Sequence, residues 1–502
     1  MRLENMAKNK VWKINQFYGG NAIDEKLGLI NQFADTSKGI DVFYKPSILR
    51  GNLKMETVET GAVNARMQDF IKASDGSTYG LGYKEYGGDN TWMTLWKLSG
   101  TTWSSVGAGT SSAPVSDSQI IEYKDYLYFY TQTNKIGRYG TLSSSPSFTE
   151  EWQTTTNSIT INGPMAIQKD TLYIANGNRI ASWDGTTWTA STNFDLPSGW
   201  KIISLIAWGK YIVAGATSPE SDTISRMFFW DTSATSWEFA KDIPRGKLIG
   251  IVNIGDTIKG VVLNPVSDAD HIGSLNVVEW SGGTVRVVWT HRLKGLTSAS
   301  TNFVNNGLDE KDGILYIGGV LDTTSNIGGI YTYGQPIPNG NYVFNHSIDV
   351  GATTLQHFNA LKWIGTFLYA SIYDNTGTDF RVIRTDDSTN AYEDLQYDSL
   401  VFDGNNPYMK KKIKRIIINT NALPANAVIT IKYKVDRASS WTSIGTMGTT
   451  SATQMSFYNI NGVTFDEFKE LQLQLTTNMS AGEGLIEITN ITTLYDEVSI
   501  PD

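Results

Sequence analysis

No cysteine occurs among the 502 residues, and histidine occurs only four times, at His271, His291, His346 and His357. The first absence excludes a disulfide framework, thiolate metal sites and a cysteine nucleophile, and the second leaves little for histidine chemistry. Charge is scarce too: charged residues make up 18% of the chain, against a usual share of about 25%. The formal net charge of -9 lacks the basic field that wrapping nucleic acid requires, so no sequence-specific nucleic-acid partner is expected. Long apolar runs are missing as well. No stretch approaches the roughly 18 apolar residues of a membrane span, and the opening "MRLENMAKNKVWKINQFYGG" lacks the apolar run of a signal peptide. The expectation is synthesis in a cytoplasm without export, for a chain whose polar, cysteine-free surface suits an exterior. A particle assembled inside a cell and working outside it reconciles the two.

What the chain does have is aromatics, 12% of it with 15 tryptophans, arranged in a recurring unit. A polar turn followed by a short aromatic and β-branched run appears seven times, with the turn marked by Asp75, Asp125, Asp170, Lys210, Asp256, Asp312 and Thr366. The gaps between markers are 50, 45, 40, 46, 56 and 54 residues, near the roughly 40–50 residues of a four-stranded propeller blade. After most units comes a second signal, "LWKLSGTTWSS", "IASWDGTTWTA", "FFWDTSATSWEF" or "VVEWSGGTVRVVW". Each reads strand, polar turn, strand, because Asp and Gly tolerate tight hairpins while the flanking residues favour pleated strands.

The reading is all-β: a seven-bladed β-propeller over residues 41–400, followed by a C-terminal β-sandwich of jelly-roll or immunoglobulin-like type over 401–502. Residues 1–40 read as an N-terminal arm. The stretch from Ile40, "IDVFYKPSILRGNLKMETVE", supplies one or two strands that pair with the last blade, closing the ring and removing exposed sheet edges. The composition breaks near Asp403, so a piece beginning near Tyr408 is expected to fold alone.

The stretch around Trp183 and Trp188 resembles the Asp-box of sialidases but lacks the residue between Asp184 and Gly185. Trp183-Asp184 and Trp230-Asp231 resemble WD repeats, whose histidine networks this chain cannot supply. No Gly-rich phosphate loop, HExxH, GxSxG or paired-carboxylate spacing occurs. No catalytic residue, metal or cofactor is therefore assigned, and the chain is not expected to be an enzyme. The acidic loops at 267–271 and 373–379 offer oxygens to a calcium ion but lack a glutamate at the twelfth position, and read as solvated turns.

Two sets of residues stand as binding candidates. Lys410, Lys411, Lys412, Lys414 and Arg415 form the densest charge run of an acidic chain, either a charged strand edge guarding against stray pairing or a subunit interface. Trp441, Phe457 and Tyr458 are either core aromatics or stacking platforms for a glycan.

The order of parts, an arm with "INQFYGGNAIDEK", a ring of Trp- and Tyr-rich blades, then "NPYMKKKIKRIIINTNALPANAVITIKYKVDRASSWTSIGT" and a sandwich, resembles virion proteins of tailed bacteriophages, particularly propeller-bearing nozzle- or tail-tip-like components. The resemblance implies a structural tail or tail-to-head subunit, carried in the virion as a homo-oligomer. Its partners would be its own copies and neighbouring tail or portal-region proteins. A receptor- or glycan-binding tail protein, meeting a host surface glycan, is the second reading. A propeller glycosidase of sialidase type is the third.

Overall fold

The computed structural model describes residues 10–20, 34–58, 65–83, 92–110, 115–159, 161–221, 223–264, 273–293, 302–322, 327–350, 355–374, 379–385, 392–458, 465–479 and 484–498. Every regular element among them is a β-strand. The chain divides into two compact units, one made of Glu56–Gly329 and Gly351–Thr385, the other of Met1–Met55, Ile330–Val350 and Asp386–Asp502.

The larger unit is a seven-bladed β-propeller. Its innermost strands are Arg66–Lys72, Ile121–Tyr123, Met165–Gln168, Lys201–Trp208, Lys247–Ile254, Asn302–Lys311 and Leu355–Ile364. Each of these packs on the next or is joined to it through the short strands beside it, and Leu355–Ile364 packs back on Arg66–Lys72, so the ring closes. Six positions carry complete four-stranded sheets, and the sixth blade contributes the hairpin of Asn302–Lys311 with Ile314–Asp322 to this unit. The seventh blade takes its outer strand, Met55–Thr57, from ahead of the first blade. Val58 N bonds Val382 O at 2.9 Å, sealing this closure. The strand expected from the residues after Ile40 to close the ring is therefore present.

All seven turn markers fall in the hairpin between the first and second strands of their blades. These turns need positive φ at their centre, the mirror-image geometry that matches strand twist. Lys124 and Asp125 (φ 46° and 67°) and Lys169 and Asp170 (48° and 53°) adopt it directly. The second strand of each blade is covered on both faces by neighbouring blades, which is why "TLYIAN" and "YIVAGAT" are continuous apolar runs rather than alternating ones. The fourth strands, such as Thr102–Ala108, are mostly exposed and polar.

The smaller unit contains two sheets around one core. One sheet runs Lys10–Ile14, Glu487–Glu497, Lys411–Thr420, Gln454–Tyr458, with Leu49–Arg50 and Glu467–Phe468 attached. The other runs Val343–Ile348, Ala34–Lys38, Gln396–Ser399, Leu471–Asn478, Val428–Val435, Thr442–Met447. Alternation along the strands sends Ile413, Ile416 and Ile418 from the first sheet and Ile429, Ile431, Leu473 and Leu475 from the second into that core. Trp12, Ile14, Phe17, Leu49, Leu395 and Tyr397 complete it.

This composition differs from the expected boundaries. Residues 1–40 are not simply an arm, since Lys10–Ile14 pairs along Glu487–Glu497 and Ala34–Lys38 pairs with Gln396–Ser399. Nor do residues 401–502 make the unit alone. The physical reason is register: Gln396–Ser399 lies inside the second sheet between two other strands, so removing it would leave both without their ladder partners.

Candidate functional site

The innermost strand of every blade is irregular at the same place. Counting back seven residues from each turn marker gives Gln68, Ser118, Gly163, Ile203, Ile249, Asn305 and Asn359. Gln68, Ile203, Ile249 and Asn359 are the extra residues of β-bulges. Residues 304–307 form a larger bulge against the second strand of blade six. Ser118 and Gly163 end the short strands Ser116–Ser118 and Ile161–Gly163, which pair in parallel just ahead of the innermost strands of blades two and three. Bulges turn side chains away from the regular pleat and gather at functional positions. Here four consecutive blades, six, seven, one and two, place the polar residues Asn305, Asn359, Gln68 and Ser118 at the equivalent position.

These residues bond across the ring. Asn306 Nδ2 donates to Gln68 O at 2.9 Å and to Ser118 O at 3.2 Å, joining blade six to blades one and two. Ser118 N donates to Gln68 Oε1 at 2.9 Å. One level along, Lys362 Nζ donates to Asp309 Oδ1 at 3.0 Å, and Asp309 Oδ2 accepts Trp363 N at 2.6 Å. Buried Asp69 accepts Phe70 N at 2.8 Å and Ile120 N at 3.0 Å. Burial pushes its carboxyl up to about 6, against the pull of Lys362 and of these two N–H groups. Asp117 is also buried and holds φ at 57°. Burial raises its carboxyl, while Arg66 and Lys247 oppose the rise. Lys247 is in blade five, so its field reaches Asp117 from across the ring.

Several of these groups keep unused hydrogen-bonding capacity. Gln68 Nε2, Asp117 Oδ1 and both amide atoms of Asn359 are buried with no protein partner. Among the described residues, no group of three or more His, Asp or Glu is placed to hold a metal ion. The site's chemistry is that of neutral and acidic hydrogen bonding. Sequence reasoning missed these residues, although polar letters inside otherwise apolar strands, in "MQDFIK", "VNNGLDEK" and "HFNALKW", were the available signal.

At the turn end of the ring the blades are tied together one to the next. Ser74 N bonds Glu122 Oε2, Tyr123 OH bonds Asp170 O, and Gln168 Nε2 bonds Gly209 O, each at 2.7 Å. Lys311 Nζ bonds Gly365 O at 3.0 Å. Lys169 and Lys210 both pair with Asp231, at 3.1 and 3.0 Å.

The residues singled out from the sequence are placed as follows. Trp183 and Trp188 are cross-strand partners in a hairpin, and Asp184 Oδ1 caps the turn through Thr186 N and Thr187 N, each at 2.7 Å. The basic run is largely spent inside the smaller unit. Lys411 is buried, with Nζ donating to the carbonyls of Asn406, Met409 and Lys469 at 2.6, 2.9 and 3.3 Å. Lys410 pairs with Glu467 at 3.2 Å and Lys414 pairs with Asp496. Arg415 bonds Ser456 at 2.5 Å and lies 4.6 Å over the ring of Tyr458, its cross-strand partner. Lys412 is exposed. Of the three aromatic candidates, Phe457 faces the core, because its pairing with Ile416 puts it on the inner face. Tyr458, next in the strand, is 47% exposed, and half-buried Trp441 carries Lys434 Nζ at 4.7 Å over its ring. The loop at 267–271 and residues 375–378 of the second acidic loop lie outside the described residues.

Comparison with protein families supports the propeller over part of the chain. Residues 100–251 match the DUF6242 beta propeller domain. No curated protein matches the sequence. Among solved structures, the extracellular domain of BT4673 from B. thetaiotaomicron is similar at 13% identity and a TM-score of 0.43, covering 66% of this chain and 39% of its own. The chain thus spans about two fifths of that domain's length. The extracellular domain of BT3049 from the same organism is similar at 10% identity and a TM-score of 0.46, covering 91% of this chain and 61% of its own. BamB from Moraxella catarrhalis is similar at 13% identity and a TM-score of 0.38, covering 67% of this chain and all of its own.

Proposed function

We propose that the chain is a structural, non-catalytic subunit of a tailed-bacteriophage particle, forming part of the tail or tail-to-head assembly as a homo-oligomer. The observation that carries this reading is the stitching of blade to blade at the turn end, through Ser74 to Glu122, Tyr123 to Asp170, Gln168 to Gly209 and Lys311 to Gly365. Bonds of this kind oppose blade separation, which is what a ring under mechanical load requires. Each joins a side chain to a main-chain atom of the neighbouring blade. The order of parts in the sequence and its cysteine-free, polar composition supply the setting. Mass spectrometry of purified particles tests it: the protein is expected in virions, in symmetric copy number, and its presence only in infected-cell lysate would refute the structural role.

Glycan binding is the second reading, favoured by Tyr458. Its ring stands 47% exposed at the end of the sheet-edge strand Gln454–Tyr458, with Arg415 against it. An exposed aromatic face beside a guanidinium buries sugar C–H surface while offering donors to hydroxyls. Loss of glycan-array binding on Tyr458→Ala would support this reading, and an array with no bound glycan would remove it.

A further inference from the structure

We infer that the polar arc inside the propeller ring is a binding site for the vicinal hydroxyls of a carbohydrate. The site lies on three successive strands, Leu355–Ile364, Arg66–Lys72 and Ser116–Ser118, which pack in that order. Asn359 and Gln68 occupy the same bulge position on the first two, and Asp117 directly precedes the equivalent Ser118 on the third. All three side chains are at least nine-tenths buried, at 1%, 0% and 6% exposure.

The unused atoms define the ligand. Gln68 Nε2 and Asn359 Nδ2 are donors, and Asn359 Oδ1 and Asp117 Oδ1 are acceptors. Each buried polar atom left unpaired carries a desolvation cost of about 1–3 kcal/mol, so a folded protein is expected to provide a partner. Two donors and two acceptors are the complement of two hydroxyls, each of which accepts once and donates once. A carboxylate or phosphate offers acceptors only and would meet Asp117 unfavourably. An ammonium offers donors only and would leave both amide N–H groups unused. Adjacent hydroxyls on a sugar ring supply the required pairing at one edge.

Lys201 and Lys247, the first residues of the innermost strands of blades four and five, are exposed, and Lys247 acts electrostatically on Asp117. Gln68 is held in place by its other amide atom, which accepts Ser118 N. Its Nε2 therefore keeps a fixed direction, the preorganisation that a binding donor needs.

The test is isothermal titration calorimetry of the full chain with D-glucose, D-galactose and D-mannose, beside thermal melts of the unliganded protein. The expected result is saturable binding of at least one sugar, weakened at least tenfold by Asn359→Leu, a replacement of similar volume. The unliganded melting temperature of that variant is expected to hold or rise, because an idle amide has been removed. Absence of saturable binding to the wild type overturns the inference, and so does affinity unchanged in Asn359→Leu. A lowered melting temperature would make the amide a structural group bridged by water, and also overturns it. Should Asn359→Leu fail to fold, Gln68→Met is read by the same criteria. None of these outcomes depends on the particle assignment, which mass spectrometry of virions decides separately.

Discussion

Trp183 and Trp188 stand opposite each other across the outer hairpin of blade three and together grip Trp152 of blade two, with ring centroids 5.0 and 5.5 Å away and planes near perpendicular. The Asp184 turn sets the spacing of the pair, and the pair cements two blades. Both rings are half-buried. Trp183→Ala is therefore expected to cost about 1–3 kcal/mol, less than the roughly 3–5 kcal/mol of a fully buried ring. Combined with Trp152→Ala it should fall short of additivity by about 0.5–1.5 kcal/mol. Urea unfolding of the double-mutant cycle checks this, and strict additivity would deny the contact an energetic role.

Asp69 makes the propeller's stability depend on pH. Burial raises its carboxyl from 3.8 to about 6, so the folded state binds the proton more tightly than the unfolded state. The contribution is intact below the unfolded value and is lost as pH rises through about 6. A rise of about two units corresponds to about 3 kcal/mol at neutral pH. Phe70 N and Ile120 N bond different oxygens of Asp69, so Asp69→Asn removes the buried charge but leaves one of these N–H groups without its acceptor, at about 1–3 kcal/mol. The variant is therefore expected to be less stable than the wild type at pH 4 and to gain on it by about 2–3 kcal/mol between pH 4 and pH 7. Chemical denaturation at both pH values measures it, and a stability difference that stays the same at the two would deny Asp69 this role.

Glu393 plays the corresponding part in the smaller unit. Burial raises its carboxyl from 4.5 to about 8, Asp349 adds to the rise, and Lys54 and Lys38 oppose it. Its Oε1 has no protein partner. Stability from the neutral form is complete below the unfolded value and disappears as pH climbs through 8. Wild-type melting temperature is thus expected to decline from pH 6 to pH 9, and Glu393→Gln to flatten that decline. Parallel slopes for the two proteins would show that Glu393 does not control it.

The blades were legible because their signals are local. A turn such as Lys169-Asp170 and the run "TLYIAN" after it lie within one hairpin, and the same pair of signals recurs at each marker. The polar arc was not legible, because nothing near Asn359 in sequence says that Gln68 and Asp117 lie on the next strands of a closed ring. The basic run misled for a related reason. Alternation in "KKIKRIII" turns Lys411 inward with Ile413, and the carbonyls that accept its protons come from Asn406, Met409 and, distant in the chain, Lys469.

That placement separates two lysines that the sequence could not distinguish. Lys411→Met leaves three carbonyls without their donor and is expected to cost about 1–3 kcal/mol. Exposed Lys412→Glu should change stability by no more than about 0.5 kcal/mol. Charge reversal at Lys411 therefore tests folding, not assembly. Reversal at Lys412 alone reports on a subunit contact, and analytical ultracentrifugation of that variant beside denaturant melts of both distinguishes the two effects. Equal destabilisation by the two substitutions would contradict the burial of Lys411.

The last expectation concerns where the chain can be cut. A piece beginning at Tyr408 keeps Lys411–Thr420, Val428–Val435, Leu471–Asn478 and Glu487–Glu497, which from sequence appeared sufficient. It loses Trp12 and Ile14 from the strand beside Glu487–Glu497, Leu49 from the same sheet, and Leu395 and Tyr397 from the second sheet. Trp12 alone stacks on Phe402 at 4.3 Å and 5°, a second residue absent from the piece. The Glu487–Glu497 strand would present an unpaired edge along Lys10–Ile14's place, and Leu471–Asn478 would lose the partner Gln396–Ser399. Unpaired edges beside an opened apolar core favour association between chains over folding. The piece is expected to aggregate or to unfold without cooperativity in urea, whereas the full chain unfolds cooperatively. A sharp, reversible transition from the Tyr408 piece would show that the two sheets need neither the N-terminal strands nor Gln396–Ser399.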